Sequence, residues 1–242
     1  MKPYLWIAYD YVSVLDCLQM LDTIVSEYPD KNIIHEIGRP TIIHAARLGI
    51  PVVTEFRKRL TNGQILVADF KGYDVPYIAE GKYYYAEGTD LVTVMAMAPN
   101  EAVQDAIDGA IADKKMVAFD LMSYLDNDVK LKRTKELVEM GAKLISCHTG
   151  WSEQAAGKTP NALLEKVYQE LKDTDTKIVV MGGLKPENIK SLSKYIESKK
   201  LFAIVSGSAI TRSPAPNAVI AQFLEELSKF NGQYASLATV FH

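Results

Sequence analysis

Cysteine, tryptophan and histidine are all scarce in this chain, with two, two and four residues among 242. Cys17 and Cys147 lie far apart and form no CxxC, so two reduced thiols are expected rather than a disulfide framework. No His/Cys cluster occurs at zinc spacing, which speaks against a structural zinc. A strong charge of either sign is missing as well. The net charge of −3 argues against nucleic acid or an acidic membrane surface as the main partner, because both demand concentrated positive charge. No stretch approaches the ~20 apolar residues of a membrane span. The apolar run Leu5-Trp6-Ile7-Ala8 reaches Asp10 too soon to read as a signal peptide, so a cytoplasmic location is expected. Low-complexity linkers are absent too. One domain over residues 1–230 is expected, followed by a loosely attached tail or interface segment over 231–242.

What is present is a regular beat. Hydrophobic residues make up 48% of the chain, enough for a sizeable core, and many fall in eight short runs. These are Leu5 to Tyr9, Ile33 to Ile37, Ile65 to Phe70, Leu91 to Met95, Met116 to Leu121, Leu144 to Cys147, Ile178 to Met181 and Phe202 to Val205. Continuous apolar character of this kind suits parallel strands covered on both faces. Between the runs the spacing is helical. Leu15, Leu18, Leu21, Ile24 and Val25 form one stripe, and Ala102, Val103, Ala106, Ile107 and Ala110 form another. The charges in Val129 to Val138 read as a solvated outer helix face. Pro186 stands where a helix would begin, and Gly88 and Gly141 where helices would end. Eight uninterrupted βα units favour a closed (β/α)8 barrel, the TIM-barrel architecture, over an open doubly wound sheet.

In such a barrel the active site lies at the C-terminal ends of the strands. The predicted strands end in Asp10, Glu36, Asp69, Asp120, His148-Thr149-Gly150, Gly182-Gly183 and Ser206-Gly207-Ser208. The sharpest local signal is Asp69-x-Lys71-x-x-Asp74. Strand alternation puts Asp69 and Lys71 on one face, where a protonated lysine suits a developing oxyanion or enediolate. An ion-paired strand end that merely completes the barrel is the competing reading. Glu36 and Asp69, on neighbouring strands, would repel each other unless they share a cation or a proton; Mg²⁺ accepts one or two protein carboxylates, and the competing reading of Glu36 is a partner that merely supports Lys71. His148 closes an apolar run and suits proton transfer. His35 should point away from Glu36, His44 lies on a helix and His242 ends the chain; none of these is a candidate. The turns at Gly182-Gly183 and Gly207-Ser208 stand where this architecture commonly holds a phosphate, although tight βα turns would look the same.

With these residues laid out, the chain resembles the orotidine 5′-phosphate decarboxylase superfamily over about the first 230 residues, most specifically in Asp69-x-Lys71-x-x-Asp74. Glu36 stands where the orotidine decarboxylases carry a lysine, which points to the magnesium-dependent branch. Within that branch, Trp151 replaces the arginine of the 3-keto-L-gulonate-6-phosphate decarboxylases. The run Cys147 to Gly157, the end Ser208-Ala209-Ile210-Thr211 and Asp120 look like the 3-hexulose-6-phosphate synthases. The resemblance implies that Glu36 and Asp69 hold Mg²⁺ and that Lys71 stabilises an enediolate. It implies that His148 moves the proton, and that Asp74 completes the site by reaching a neighbouring subunit in a homodimer. Gly182, Gly183, Gly207 and Ser208 would take the substrate's phosphate, with Asp10, Asp120 and Thr149 also on the substrate side. Departures include Gly72-Tyr73 and Val75-Pro76 around Asp74, and Ser208 where glycine or arginine is usual.

The expected activity is therefore a magnesium-dependent aldolase joining formaldehyde to D-ribulose 5-phosphate, or the reverse. The alternatives are decarboxylation of 3-keto-L-gulonate 6-phosphate and, from another class, a barrel that binds a phosphate ligand without turnover.

Overall fold

All eight apolar runs form strands: β1 (Tyr4–Tyr9), β2 (Ile33–Ile37), β3 (Ile65–Gly72), β4 (Leu91–Met95), β5 (Met116–Asp120), β6 (Leu144–His148), β7 (Lys177–Met181) and β8 (Leu201–Ser206). In this computed structural model, which describes residues 1–29, 33–61, 63–123 and 125–234, the strands pair in sequence order. Every pairing is parallel, and β8 returns to β1 to close the barrel. The runs are apolar on both faces because both faces are covered. Leu5, Ile7 and Leu66 belong to the layer under the helices, whereas Trp6, Ala8, Ile34, Val67, Ala118 and Val179 fill the barrel interior.

The outer ring is built from α1 (Val14–Glu27), α2 (Arg39–Leu48), α3 (Val52–Arg59), α4 (Lys82–Glu87), α5 (Asn100–Ala112), α6 (Asn127–Glu139), α7 (Trp151–Ala155), α8 (Asn161–Leu171), α9 (Ser193–Glu197), α10 (Ser208–Thr211) and α11 (Pro216–Ser228). A π-helical turn (Tyr77–Gly81) precedes α4, and a 3-10 stretch (Pro186–Leu192), opened by Pro186, precedes α9. Ser13 and Asp126 cap α1 and α6 by accepting backbone N–H groups that a helix start leaves free. Gly88 ends α4, and Gly141 follows α6. No helix among the described residues is long and apolar enough to cross a membrane.

The helix faces differ from the sequence expectation in two places. Leu15 is 65% exposed, and the buried stripe of α1 is Val14, Cys17, Leu18, Leu21, Ile24 and Val25. Leu18, Leu21, Ile24 and Val25 are buried as expected, but Val14, about 100° around the axis from Leu15, takes the place of Leu15. On α6 the charge is not all solvated: Lys130 and Arg133 are buried. Arg133 donates to Ala96 O and Ala98 O, both at 2.7 Å, and to Asn100 Oδ1 at 2.6 Å, with Glu136 Oε2 at 2.8 Å. Its planar fork thus satisfies the carbonyls of the loop after β4 and ties that loop to the start of α5. Pattern alone marks an arginine as outward because the carbonyls that need it belong to a distant segment.

The end of the chain also departs from expectation. Residues Asn231 to Tyr234 are docked: Lys2 N donates to Gln233 O at 2.9 Å, and Lys2 and Tyr234 form a bridge. The Tyr234 ring lies 5.5 Å from Tyr4, which lies 5.4 Å from Phe202, so an aromatic layer covers the N-terminal end of the barrel. The rest of the expected tail, residues 235–242 with His242, lies outside the described residues.

Arg133→Ala leaves buried carbonyls without donors, and unfolding in urea should show a loss of about 2–4 kcal/mol with an unchanged denaturant slope. A loss below about 0.5 kcal/mol, the range of ordinary surface changes, would mean that the fork holds nothing together.

Candidate active site

The strand ends surround a cavity of about 220 Å³ at the C-terminal mouth. Asp10, Glu36, Asp69, Lys71 and His148 face it from β1, β2, β3 and β6, and Gly182, Gly183, Gly207 and Ser208 line it after β7 and β8. Two glycines let these ends crowd together. A Cβ on Gly38 would fall 2.3 Å from Asp10 Oδ1 and 2.8 Å from Tyr9 O, so only glycine lets the end of β2 lie against Asp10. Gly182 has φ +124°, and a Cβ there would meet Thr149 O at 2.7 Å, so the turn after β7 presses directly on the end of β6.

The centre of the site is Lys71. Its ammonium lies 2.9 Å from Asp69 Oδ1 and 3.0 Å from Asp120 Oδ2. Burial by itself would favour the neutral amine, but Asp120, Asp69 and Glu36 outweigh it and hold the lysine above its ordinary value, so it stays charged. Asp120 Oδ2 also meets His148 Nδ1 at 2.8 Å, and Asp120 Oδ1 accepts from Met122 N at 2.8 Å. Burial opposes ionisation of Asp120, yet His148, Lys71 and these hydrogen bonds keep its carboxyl below the usual range. An ionised Asp120 accepts from Nδ1–H, which leaves the lone pair of His148 on Nε2.

The other carboxyls are in excess. Burial, then Asp69 and Asp10, push Glu36 well above the ordinary carboxylate value, and burial, then Asp69, raise Asp10. Glu36 also accepts a hydrogen bond from Trp6 Nε1, which fixes one of its oxygens. Oxygen-only donors with surplus negative charge fit a hard divalent cation better than a transition metal. No group of three His, Cys, Asp or Glu side chains among the described residues is assembled to hold a metal unaided.

Comparison with known proteins bears on this geometry. A sequence profile described as the orotidine 5′-phosphate decarboxylase / HUMPS family matches residues 3–223. The 3-hexulose-6-phosphate synthase of Staphylococcus aureus is 32% identical over 210 residues, covering 87% of this chain and 92% of the relative. That of Staphylococcus haemolyticus is 33% identical over 190 residues, covering 78% and 83%. The chain belongs to the orotidine 5′-phosphate decarboxylase / HUMPS family. Its fold matches a 3-hexulose-6-phosphate synthase from Salmonella typhimurium with a TM-score of 0.81 at 24% identity, over 96% of this chain and all of the other. It also matches a 3-keto-L-gulonate-6-phosphate decarboxylase from Vibrio cholerae with a TM-score of 0.76 at 21% identity, over 96% and 100%. As a member of this family the chain is a carbon–carbon lyase.

Within this family member, the expected site residues fall into two groups. Asp10, Glu36, Asp69, Lys71, His148, Gly182, Gly183, Gly207 and Ser208 share one cavity. Asp120 and Thr149 were read as substrate-side residues, yet neither lines it. Asp120 is buried behind Lys71 and His148, and Thr149 is wall structure, its N–H donating to Met181 O and its carbonyl accepting from Gln154 Nε2. Asp74 is exposed on the loop after β3, away from the cavity of its own chain. The structure adds residues that sequence reasoning passed over. Trp6 and Thr93 look like strand filler and Arg39 like a helix start, yet Thr93 and Arg39 line the cavity, as does Gln154 of the run Cys147 to Gly157. The Arg212 guanidinium stacks 5.2 Å above the Trp151 ring. For Trp6 and Thr93 the available signal was strand alternation, which puts Trp6 in phase with Ala8 and Thr93 in phase with Leu91 on the inner face.

His35 points out of the barrel, as alternation requires, between Tyr9 Oη at 3.0 Å and Gln64 Nε2 at 3.3 Å. His44 accepts from Val14 N and caps α1. Burial, aided by Arg57, lowers His35 to about 3. The unfolded chain therefore binds a proton at this residue near pH 6.5 while the native protein does not, so its contribution to stability falls as pH drops from about 6.5 to about 3. Glu36, raised by burial, works in the opposite sense. Urea unfolding of wild type and His35→Gln at pH 6.5 and 4.5 isolates the histidine. Wild type should lose about 2–3 kcal/mol more than the variant over that interval, and parallel losses would contradict the assignment.

Proposed function

We propose that this chain is a magnesium-dependent aldolase that joins formaldehyde to D-ribulose 5-phosphate, forming D-arabino-hex-3-ulose 6-phosphate, and that catalyses the reverse cleavage at the same site. One observation carries the reading: a single carboxylate oxygen, Asp120 Oδ2, holds both the Lys71 ammonium and the His148 imidazole beside the cavity. A proton acceptor and a fixed positive charge side by side are what formation of an enediolate requires. The S. aureus and S. haemolyticus relatives named 3-hexulose-6-phosphate synthase support this choice of reaction.

The phosphate rests against the turns at Gly182-Gly183 and Gly207-Ser208. His148 takes a proton from C1 of ribulose 5-phosphate through Nε2. The C–H electron pair becomes the C1–C2 double bond, and the carbonyl electrons move onto the C2 oxygen. Lys71 donates a hydrogen bond to that oxygen and keeps its proton. C1 then attacks the carbon of formaldehyde, a C–C bond forms and the carbonyl at the former C2 is restored. The new alkoxide takes a proton, and His148 returns to its neutral form. Glu36 and Asp69 would hold Mg²⁺, which when bound supplies positive charge to adjacent substrate oxygens. Asp74, exposed beside Tyr73 and Val75, is offered to the mouth of a second copy in a homodimer.

A second reading is favoured by the guanidinium of Arg212 over Trp151. Decarboxylation of 3-keto-L-gulonate 6-phosphate passes through a related enediolate and needs a proton delivered near that rim. Assay of both reactions separates the two. Product from ribulose 5-phosphate and formaldehyde, present with Mg²⁺ and lost with a chelator, is expected; turnover of the keto acid alone would replace the aldolase reading. Lys71→Ala should reduce turnover by about 10²–10³ or more while phosphate binding persists. Near wild-type activity in that variant would defeat the mechanism.

A further inference from the structure

We propose that Thr93 is a positioning residue whose one hydroxyl holds both the Lys71 backbone and the Asp69 carboxylate in the arrangement the reaction uses. The inference rests on the role given above to Lys71. The backbone at Lys71 has φ +53°, in the left-handed region, which is strained for a side-chain-bearing residue. The strain coincides with a fault in the sheet: the β3–β4 register shifts between Ala68 and Gly72. Lys71 N–H donates instead to Thr93 Oγ1 at 3.1 Å.

The same Oγ1 donates to Asp69 Oδ1 at 2.6 Å, the oxygen that also receives the Lys71 ammonium at 2.9 Å. A backbone amide can only donate and a carboxylate can only accept, so the hydroxyl receives the amide on a lone pair and gives its one proton to Asp69. The directions of both bonds are therefore set. Thr93 is buried in the strand Leu91-Val92-Thr93-Val94-Met95, where valine would fill the same volume. The hydroxyl is the part that valine lacks. Without it the bulge loses its hydrogen-bond acceptor, and Asp69 loses the donor that stops its carboxylate turning away from Lys71. Thr93 thus acts through Lys71 and Asp69 rather than on the substrate.

Thr93→Val and Thr93→Ser test this with steady-state kinetics on ribulose 5-phosphate and formaldehyde. The valine variant should lose about 100-fold in kcat, the scale of a small misplacement of catalytic groups. Its KM for ribulose 5-phosphate should stay within about threefold, and the serine variant should recover most of kcat. A valine variant with near wild-type kcat, a change in KM alone, or a serine variant as impaired as valine would overturn the proposal. If the valine variant does not fold, Thr93→Cys takes its place in the comparison with serine. A wild-type protein without aldol activity defeats the proposed reaction and leaves this inference standing. The crystal structure of the valine variant then decides it: Lys71 leaving the left-handed region is expected, and an unchanged Lys71 overturns it.

Discussion

A buried ammonium group between two carboxylates governs the upper half of this barrel. Lys71 cannot remain charged at low exposure unless Asp69 and Asp120 stay within hydrogen-bond reach, since an unpaired buried charge costs several kcal/mol. Asp120 in turn is ionised because Lys71, His148 and Met122 N all donate to it. The ends of β3, β5 and β6 are thereby tied to one another by charge as well as by the ladder. The same arrangement leaves the ammonium beside a cavity, where a substrate oxygen gaining negative charge meets a field already oriented towards it.

The rest of the barrel makes that geometry affordable. Below the charged layer the interior is apolar and closed, with Trp6, Ile34, Val67 and Ala118 packed between strands and Tyr4, Phe202 and Tyr234 across the far end. Water is kept from that side, which strengthens the charge interactions above it. Gly38 and Gly182 bring neighbouring strand ends closer than any side chain would permit. Precision at the mouth thus derives from close backbone approach and from a rigid floor.

The charge balance of the mouth also has a direction. Glu36 and Asp10 are both pushed towards protonation by burial and by Asp69, so the carboxyls outnumber the positive charges that face them. A cation entering between Glu36 and Asp69 would relieve that repulsion and at the same time offset the charge of a phosphorylated ligand. Trp6 restrains Glu36 from below, and Arg39 and the Trp151–Arg212 stack add cationic and aromatic character at the rim.

The eight strands, their order and the inward acidic ends were legible in the sequence because a strand buried on both sides must be apolar throughout, and a polar residue at its end then stands out. Glu36, Asp69, Lys71 and His148 were found by that contrast. Thr93 and Trp6 were not, because a residue inside an apolar run gives no sign of which distant carboxylate it bonds. The burial of Arg133, the withdrawal of Asp120 behind the wall and the docking of Asn231 to Tyr234 were also invisible, each depending on groups far away in the chain. Local sequence determined where strands run and which way side chains alternate, since both follow from covalent geometry and periodicity. Only the closed barrel decided which polar atoms meet, because hydrogen bonds and ion pairs between strands are set by register and distance that no single segment contains.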